Sequence, residues 1–434
     1  MAALNRIRSW AERQHFAANV AKISAGSVAR TAISLLALPV ATRLYSPDAF
    51  GALQVFASIV SLFVAVGPLK YEAAIALPED AVESNHLAVL SVALSAVIAI
   101  LVFGVISLLG TRVLVFMNAG QLEEYKFLIP LGIWLAMMFA IARQTLVAKK
   151  RFGTLGTTSV AHVACAQSVT IGYGWFRPEV LGLILGRLVG NCAGVALALR
   201  RAPIRFSSTS LASVRRVALK YRKFPLVNTI GVLANTVATE APVFLLARFF
   251  GAESVGFYMM TTNILSQPLA LVGESVGRVF LRYGAEAGAR SALELLQLFR
   301  TTVRNLALMA LVPLLGVALL APWVVPIVLG QEWQEAAVFM QILMLAKYLE
   351  LVMVPVSTTF SIVNRQEVGV ALMIGFGIVR IGAMVYFSGS AYSMLVALSI
   401  SSAAFSGIYI LATDVVLRRI AAGEPPPGPA QPRP

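Results

Sequence analysis

Twelve stretches of about twenty mostly apolar residues follow one another along this chain, at roughly 19–43, 51–70, 87–109, 127–147, 154–175, 178–199, 225–247, 254–278, 302–320, 336–358, 369–388 and 393–413. A run of ~20 apolar residues is what an α-helix needs to cross the ~30 Å hydrocarbon layer of a bilayer. Inside that layer only helices and closed barrels satisfy their own backbone polar groups. Barrel strands alternate apolar and polar residues instead of running apolar for twenty positions. The chain is therefore predicted to be an all-α polytopic membrane protein with twelve transmembrane helices. Composition agrees where it bears on this: only 13% of the 434 residues are charged, against ~25% in a typical soluble protein.

Loop charges set the orientation. Of the connections that would face outward, the basic residues are Arg112, Lys126, Arg177 and Arg248, with Arg43 at a helix end. Of those that would face inward, 143–151 carries Arg143, Lys149, Lys150 and Arg151, and 200–223 carries eight cations. By the positive-inside rule both termini are predicted to be cytoplasmic. The formal net charge of +15 is thus mainly a topology signal, and nucleic acid is not expected as a partner. One connection dissents: 71–86 would face inward, yet it carries Glu72, Glu79, Asp80 and Glu83. The first 18 residues hold Arg6, Arg8 and Arg13 without an apolar core, and so read as a cytoplasmic lead and not a signal peptide. The segment 421–434 is rich in proline and is expected to be disordered.

The chain also repeats. Arg43-Leu-Tyr-Ser-Pro-Asp48-Ala-Phe-Gly51 closes the first span and opens the second; Arg248-Phe-Phe-Gly-Ala-Glu253-Ser-Val-Gly256 does the same between the seventh and eighth. Arginine, aromatic, acid and glycine match at one offset of 205 residues. The expected organisation is an N-lobe at 19–199, a basic linker at 200–224 and a C-lobe at 225–420. An even number of spans per lobe relates the two by a pseudo-two-fold axis along the membrane normal.

Residues 37–79 (ALPVATRLYSPDAFGALQVFASIVSLFVAVGPLKYEAAIALPE), 221–258 (YRKFPLVNTIGVLANTVATEAPVFLLARFFGAESVGFY) and 329–336 (LGQEWQEA) resemble the oligosaccharide flippases (Wzx-like) of the multidrug/oligosaccharidyl-lipid/polysaccharide exporter superfamily. The resemblance implies a carrier of two six-helix lobes in the bacterial inner membrane. It would move an undecaprenyl-pyrophosphate-linked oligosaccharide from the cytoplasmic to the periplasmic leaflet by alternating access, for lipopolysaccharide, capsule or exopolysaccharide assembly. A polysaccharide polymerase and a chain-length regulator are the protein partners it implies, with the carrier itself a monomer and membrane lipids around it.

The residues carry their own argument. A cation at mid-membrane costs ~2.5–3.5 kcal/mol on insertion scales, so four facing lipid would cost roughly 10–14 kcal/mol. Arg30, Arg187, Lys347 and Arg380 all fall mid-span. They are predicted to turn inward to a central cationic cleft and to hold an anionic headgroup, since arginine meets phosphate oxygens in pairs and lysine as a point charge. Lys347 has an alternative partner in Glu350, one helical turn away. Lys22, Arg278 and Arg304 lie near span ends and can snorkel. Glu240, Glu274 and Glu350 are carboxylates at depth. They are candidates for proton or sodium coupling or for pairing with the cleft arginines. Gly182, Gly186, Gly190 and Gly194 form a strip on the sixth span that reads as close helix packing. His162 reads as a satisfied or cleft-facing side chain and Cys165 and Cys192 as small core residues; no metal site or cofactor is expected.

Two other functions compete. A drug/cation antiporter of the same superfamily would favour an acidic, aromatic cleft, which the cation excess at depth opposes. A polysaccharide polymerase or ligase would need an outward loop large enough for a catalytic site, and the longest here is about 110–126. No Walker sequence is present, so no ATPase is expected. The chain is read as a carrier and not an enzyme.

Overall fold

A computed structural model describes residues 25–207 and 209–423. The lead 1–18, the start of the first span and the tail beyond 423 lie outside the described residues. Among the described residues there is no strand, and twelve long helices follow in order. They are α1 Ala25–Leu44, α2 Pro47–Val66, α3 Ala81–Phe116, α4 Leu128–Ala148, α5 Phe152–Gly174 and α6 Val180–Arg201. The run Thr229–Arg290 contains α7 and α8, which meet at Gly251. Then come α9 Ala292–Leu329, α10 Gln334–Val356, α11 Gln366–Tyr386 and α12 Ala391–Ala421. Gly251 takes φ 81°, a backbone region that costs glycine nothing and other residues strain.

Among the described residues, ten stretches are long and apolar enough to cross a membrane. The count differs from twelve because the α7–α8 run holds one such stretch and α5 holds none. α5 is the polar helix of the set. Its hydroxyls are turned back on its own carbonyls: Thr158 Oγ1 donates to Thr154 O at 2.6 Å and Ser159 Oγ to Leu155 O at 3.0 Å. Such back-bonding satisfies hydroxyl groups within the helix itself.

Several helices outrun the predicted spans. α3 has 36 residues, about 54 Å of helix, well beyond a ~30 Å hydrocarbon layer. The connection between the predicted spans 254–278 and 302–320 is itself mostly helix: α8 runs to Arg290 and α9 starts at Ala292. Between them Ser291 caps α9 by accepting from the Leu293 and Glu294 N–H groups. Arg143, grouped with the basic connection 143–151, lies on α4 within the predicted span 127–147.

The described residues form two compact units, dividing after Gly256. In the first, the two copies of the repeated motif meet. A Cβ on Gly51 would fall 1.7 Å from Ala252 O, and one on Gly256 would fall 1.9 Å from Pro47 O. Ala252 and Gly256 are the 205-residue counterparts of Pro47 and Gly51, so the contact is reciprocal. Tyr45 of the first copy is fully buried and donates to Thr170 O at 2.8 Å.

The connection 67–86 and the linker 202–223 are fastened together. Asn85 Nδ2 donates to Arg205 O at 2.7 Å, and Arg205 N–H returns to Asn85 Oδ1 at 2.8 Å. Lys220 pairs with Glu83 at 2.5 Å, which raises the lysine pKa, and Tyr71 OH donates to Ala218 O at 2.9 Å. Asp80 caps α3. The acidic connection that dissented from the charge rule is therefore the seat of the basic linker. Glu72 in it is buried beside Lys70 at 3.4 Å, and burial raises its carboxyl pKa despite that lysine.

In the second unit, Trp333 of the LGQEWQEA segment is fully buried. Its ring meets Phe257 edge to face at 6.1 Å, after a turn in which Gly330 takes φ 111°. Thr261 Oγ1 donates to Ala336 O at 3.1 Å, tying α8 to α10. Arg300 of α9 and Arg418 of α12 both bind Asp414, at 2.7 and 2.6 Å.

Candidate functional site

In the first unit, four helices bring a basic side chain to one region. α1 crosses α5 so closely that a Cβ on Gly26 would lie 2.6 Å from Gly156 Cα. Arg30 is one turn beyond Gly26 on the same face of α1. It is exposed, and it lies within electrostatic reach of Arg143 on α4 and His162 on α5. α6 closes on α5 through its glycine strip. A Cβ on Gly186 would lie 2.2 Å from Thr170 Oγ1, and one on Gly190 would lie 2.7 Å from His162 O. The strip is thus a packing surface, as the sequence suggested. Arg187 is the next residue after Gly186, turned ~100° around the helix away from that seam. It is exposed and within electrostatic reach of His162.

His162 is held on two sides. Its Nε2–H donates to Asn191 Oδ1 at 3.1 Å, and its ring stacks on Phe139 at 4.8 Å, nearly parallel. The Arg143 guanidinium sits 5.8 Å from the same Phe139 ring. A ring in that position restrains both side chains without neutralising either.

The acid facing this group is Glu240 on α7. Ser58 of α2, fully buried, donates to Glu240 Oε2 at 2.6 Å, and Gln54 Nε2 donates to Ser58 Oγ at 3.3 Å. Glu240 is in electrostatic reach of Arg187 but makes no ion pair with it. Among the described residues no carboxylate lies within ion-pair distance of Arg30, Arg143 or Arg187. Three guanidiniums and one tethered carboxylate leave an excess of positive charge. Guanidiniums without acidic partners present their paired N–H donors to phosphate oxygens.

The second unit treats its charges differently. Lys347 Nζ meets Glu350 Oε2 at 2.8 Å, one turn along α10. Arg380 on α11 is half-buried and lies in electrostatic reach of Glu350 and Tyr258. The Glu274 side chain lies outside the described residues.

The sequence thus selected Arg30, Arg187 and Glu240, which come together, and Lys347, Glu350 and Arg380, which come together separately. It missed Arg143 as a site residue because, although it falls inside the predicted span 127–147, it lies one turn from the end of that span and was grouped with the loop charges of 143–151. His162 was read as satisfied or cleft-facing, and it is both hydrogen-bonded and set among three arginines. Among the described residues no three His, Cys, Asp or Glu side chains could hold a metal ion.

The chain is similar to the succinoglycan biosynthesis transport protein ExoT of Rhizobium meliloti (strain 1021), with 22% identity over 324 residues. That match takes in 73% of this chain and 63% of the relative, so it spans less than two-thirds of that protein's length. In fold the chain is similar to an inward-facing multidrug resistance MATE family transporter of the MOP superfamily, with TM-score 0.74, 14% identity, and 91% and 96% of the two chains covered. It is also similar to the lipid II flippase MurJ in an inward closed conformation, with TM-score 0.68, 12% identity, and 92% and 90% covered. Identities this low speak for the fold alone. The sequence match that carries membership runs over residues 40–338, well over half the chain. With helices able to cross a membrane repeatedly and that match in its sequence, the chain is a multi-pass membrane protein of the polysaccharide biosynthesis protein family.

Proposed function

We propose that the protein is a carrier, not an enzyme, that moves a lipid-linked oligosaccharide from the cytoplasmic to the periplasmic leaflet of the inner membrane. The observation that carries this reading is the group Arg30, Arg143 and Arg187, held on membrane-crossing helices without ion-paired carboxylates. A lipid pyrophosphate brings about two negative charges and several acceptor oxygens, which such a group is built to receive. Burying these arginines in lipid would be costly; facing a polar headgroup, they are compensated as it enters. The α5 hydroxyls, whose protons are already donated within the helix, offer their oxygens as acceptors to the sugars beyond it. Lys347 and Arg380 would serve the headgroup only at another stage of the cycle, once released from Glu350.

Outward movement of an anion runs with an inside-negative potential, at ~2.3 kcal/mol per charge per 100 mV. Glu240 and Glu350, with Glu274, remain the candidates for proton or sodium coupling on top of that. The relatives' names support the reading: one is a succinoglycan biosynthesis transport protein and another a lipid II flippase. A polymerase and a chain-length regulator would take the product onward.

A drug/cation antiporter is the second reading, because a multidrug transporter shares the fold. The sign of the first unit's charge opposes it, since a cation would be repelled there. Deletion of the gene separates the two. Lipid-linked repeat units accumulating on the inner leaflet, with loss of surface polysaccharide, support the carrier; drug sensitivity with normal polysaccharide overturns it.

A further inference from the structure

The linker between α6 and α7 is a shaped and fastened element. Its helix Leu211–Lys220 opens on the Ser210 cap and buries Val217. Tyr71, Glu83 and Asn85 grip the linker from the first unit, and Lys149 Nζ donates to Pro203 O at 2.8 Å. These ties fix which side of the helix looks outward. That side carries Leu211, Arg215 and Leu219, spaced four residues apart and so aligned on one stripe. Leu211 is 86% exposed, Leu219 58% and nearby Phe206 58%. Arg215, Arg216 and Arg222 are exposed as well, and none has an ion-pair partner among the described residues. Large apolar side chains alternating with unpaired arginines do not suit water. They do suit the boundary between lipid headgroups and acyl chains, where leucine sinks inward and arginine reaches phosphate. The helix is tethered on both sides by membrane-crossing helices, so it cannot lie far from that boundary.

We propose that this helix lies in the headgroup layer of the membrane the chain spans and selects anionic phospholipid there. The charge is complementary, and the apolar stripe gives the depth. This role is separate from the transport site: it uses none of Arg30, Arg143 or Arg187, and it holds whether or not the chain carries an oligosaccharide.

The test uses the full-length protein in nanodiscs that contain no oligosaccharide lipid, which removes the substrate's phosphates as a source. Leu211→Trp adds a reporter at the more exposed end of the stripe, and Leu219→Trp adds a second. Emission above that of the wild type is followed as brominated phosphatidylglycerol or brominated phosphatidylcholine is introduced at equal mole fraction. The expected result is quenching of both reporters, with a clear preference for the anionic lipid that shrinks by up to roughly fivefold per cation removed in Arg215→Gln/Arg216→Gln. Raising the salt concentration should shrink the preference in the same way. Reporters that neither lipid quenches would place the stripe against water or another protein and overturn the proposal. Equal quenching by both lipids, unchanged in the arginine variant, would overturn the selectivity and with it the proposal. A flipping assay has no part in this outcome, so its failure and that of the carrier reading are distinguishable.

Discussion

The two units of this chain place cations at membrane depth and handle them in opposite ways. In the first, Arg30, Arg143 and Arg187 surround His162, while the facing acid, Glu240, is held by Ser58 instead of by an arginine. In the second, Lys347 is closed into an ion pair with Glu350, and Arg380 lies near the same carboxylate. A charge already paired has little left to offer a ligand. A charge held apart from its counter-ion is a standing demand for one. Similar helices, repeated along one chain, therefore leave unpaired guanidiniums in one unit and largely neutralised cations in the other, and the proposed headgroup site rests on the first.

The comparison breaks most readily at Arg187. Arg187→Ala should lower translocation of lipid-linked oligosaccharide in proteoliposomes by about ten- to hundredfold, the scale of hydrogen bonds to charged groups at ~1.5–3 kcal/mol. Arg187→Lys should recover part of it, since charge returns without the paired donors. If Arg187→Ala transports normally, the first unit is not the headgroup site.

A subtler change tests the tether. Ser58→Ala releases Glu240, which can then turn to Arg187 and neutralise it. Headgroup binding should fall by about threefold, from a bond worth ~0.5–1.5 kcal/mol, and Ser58→Ala/Glu240→Gln should restore it. A single variant that binds as well as wild type would show that the tether is idle.

In the second unit the expected effect is smaller still. Lys347→Ala/Glu350→Gln removes a half-exposed pair whose worth is ~0.2–1 kcal/mol. Translocation should change by less than about fivefold, and a larger loss than at Arg187 would reverse the comparison.

The smallest effect concerns pH, and it too should separate the units. Glu72, outside the spans, has its carboxyl pKa raised by burial above its ordinary 4.5. The folded state then holds its proton more tightly than the unfolded one, so the favourable contribution is complete at low pH. It is lost as pH rises from about 4.5 through the raised value. Hydrogen exchange should show the segment around Tyr71–Ala74 opening more readily as pH climbs through that window. Glu72→Gln should flatten the trend there and leave the second unit untouched. Opening that follows pH equally in Glu72→Gln assigns the effect elsewhere.

Much of this was legible in the sequence, for a physical reason. A bilayer imposes length and apolarity on every crossing helix, so the helices announced themselves, and Arg30 and Arg187 stood out against them. The helix ends did not, because nothing in hydropathy marks where a helix stops once it has left the lipid; α8 to Arg290 and α9 from Ala292 continue well outside it. Arg143 was lost for another reason: it lies inside the predicted span 127–147, but close enough to its end to be grouped with the loop cations that follow. The acidic connection 71–86 looked like an exception to the charge rule until the linker was seen seated on it through Glu83 and Asn85. That pairing spans more than a hundred residues of sequence, and no local pattern records it. Ser58 gave no signal either: a lone serine in an apolar helix is common, and only its bond to Glu240 distinguishes it.

The reciprocal contact of Gly51 with Ala252 and Gly256 with Pro47 carries a historical consequence. When residue i meets j and the counterpart of i meets the counterpart of j in return, the surfaces are self-complementary, as in an isologous dimer of identical subunits. A chain descended from a duplicated six-helix ancestor would inherit such a contact ready-made from a homodimer. Two glycines facing two backbones leave no room for a side chain on either copy. The ancestral subunit interface would thus persist as a place where both descendants of the duplication stayed bound to glycine while most of the sequence around it diverged.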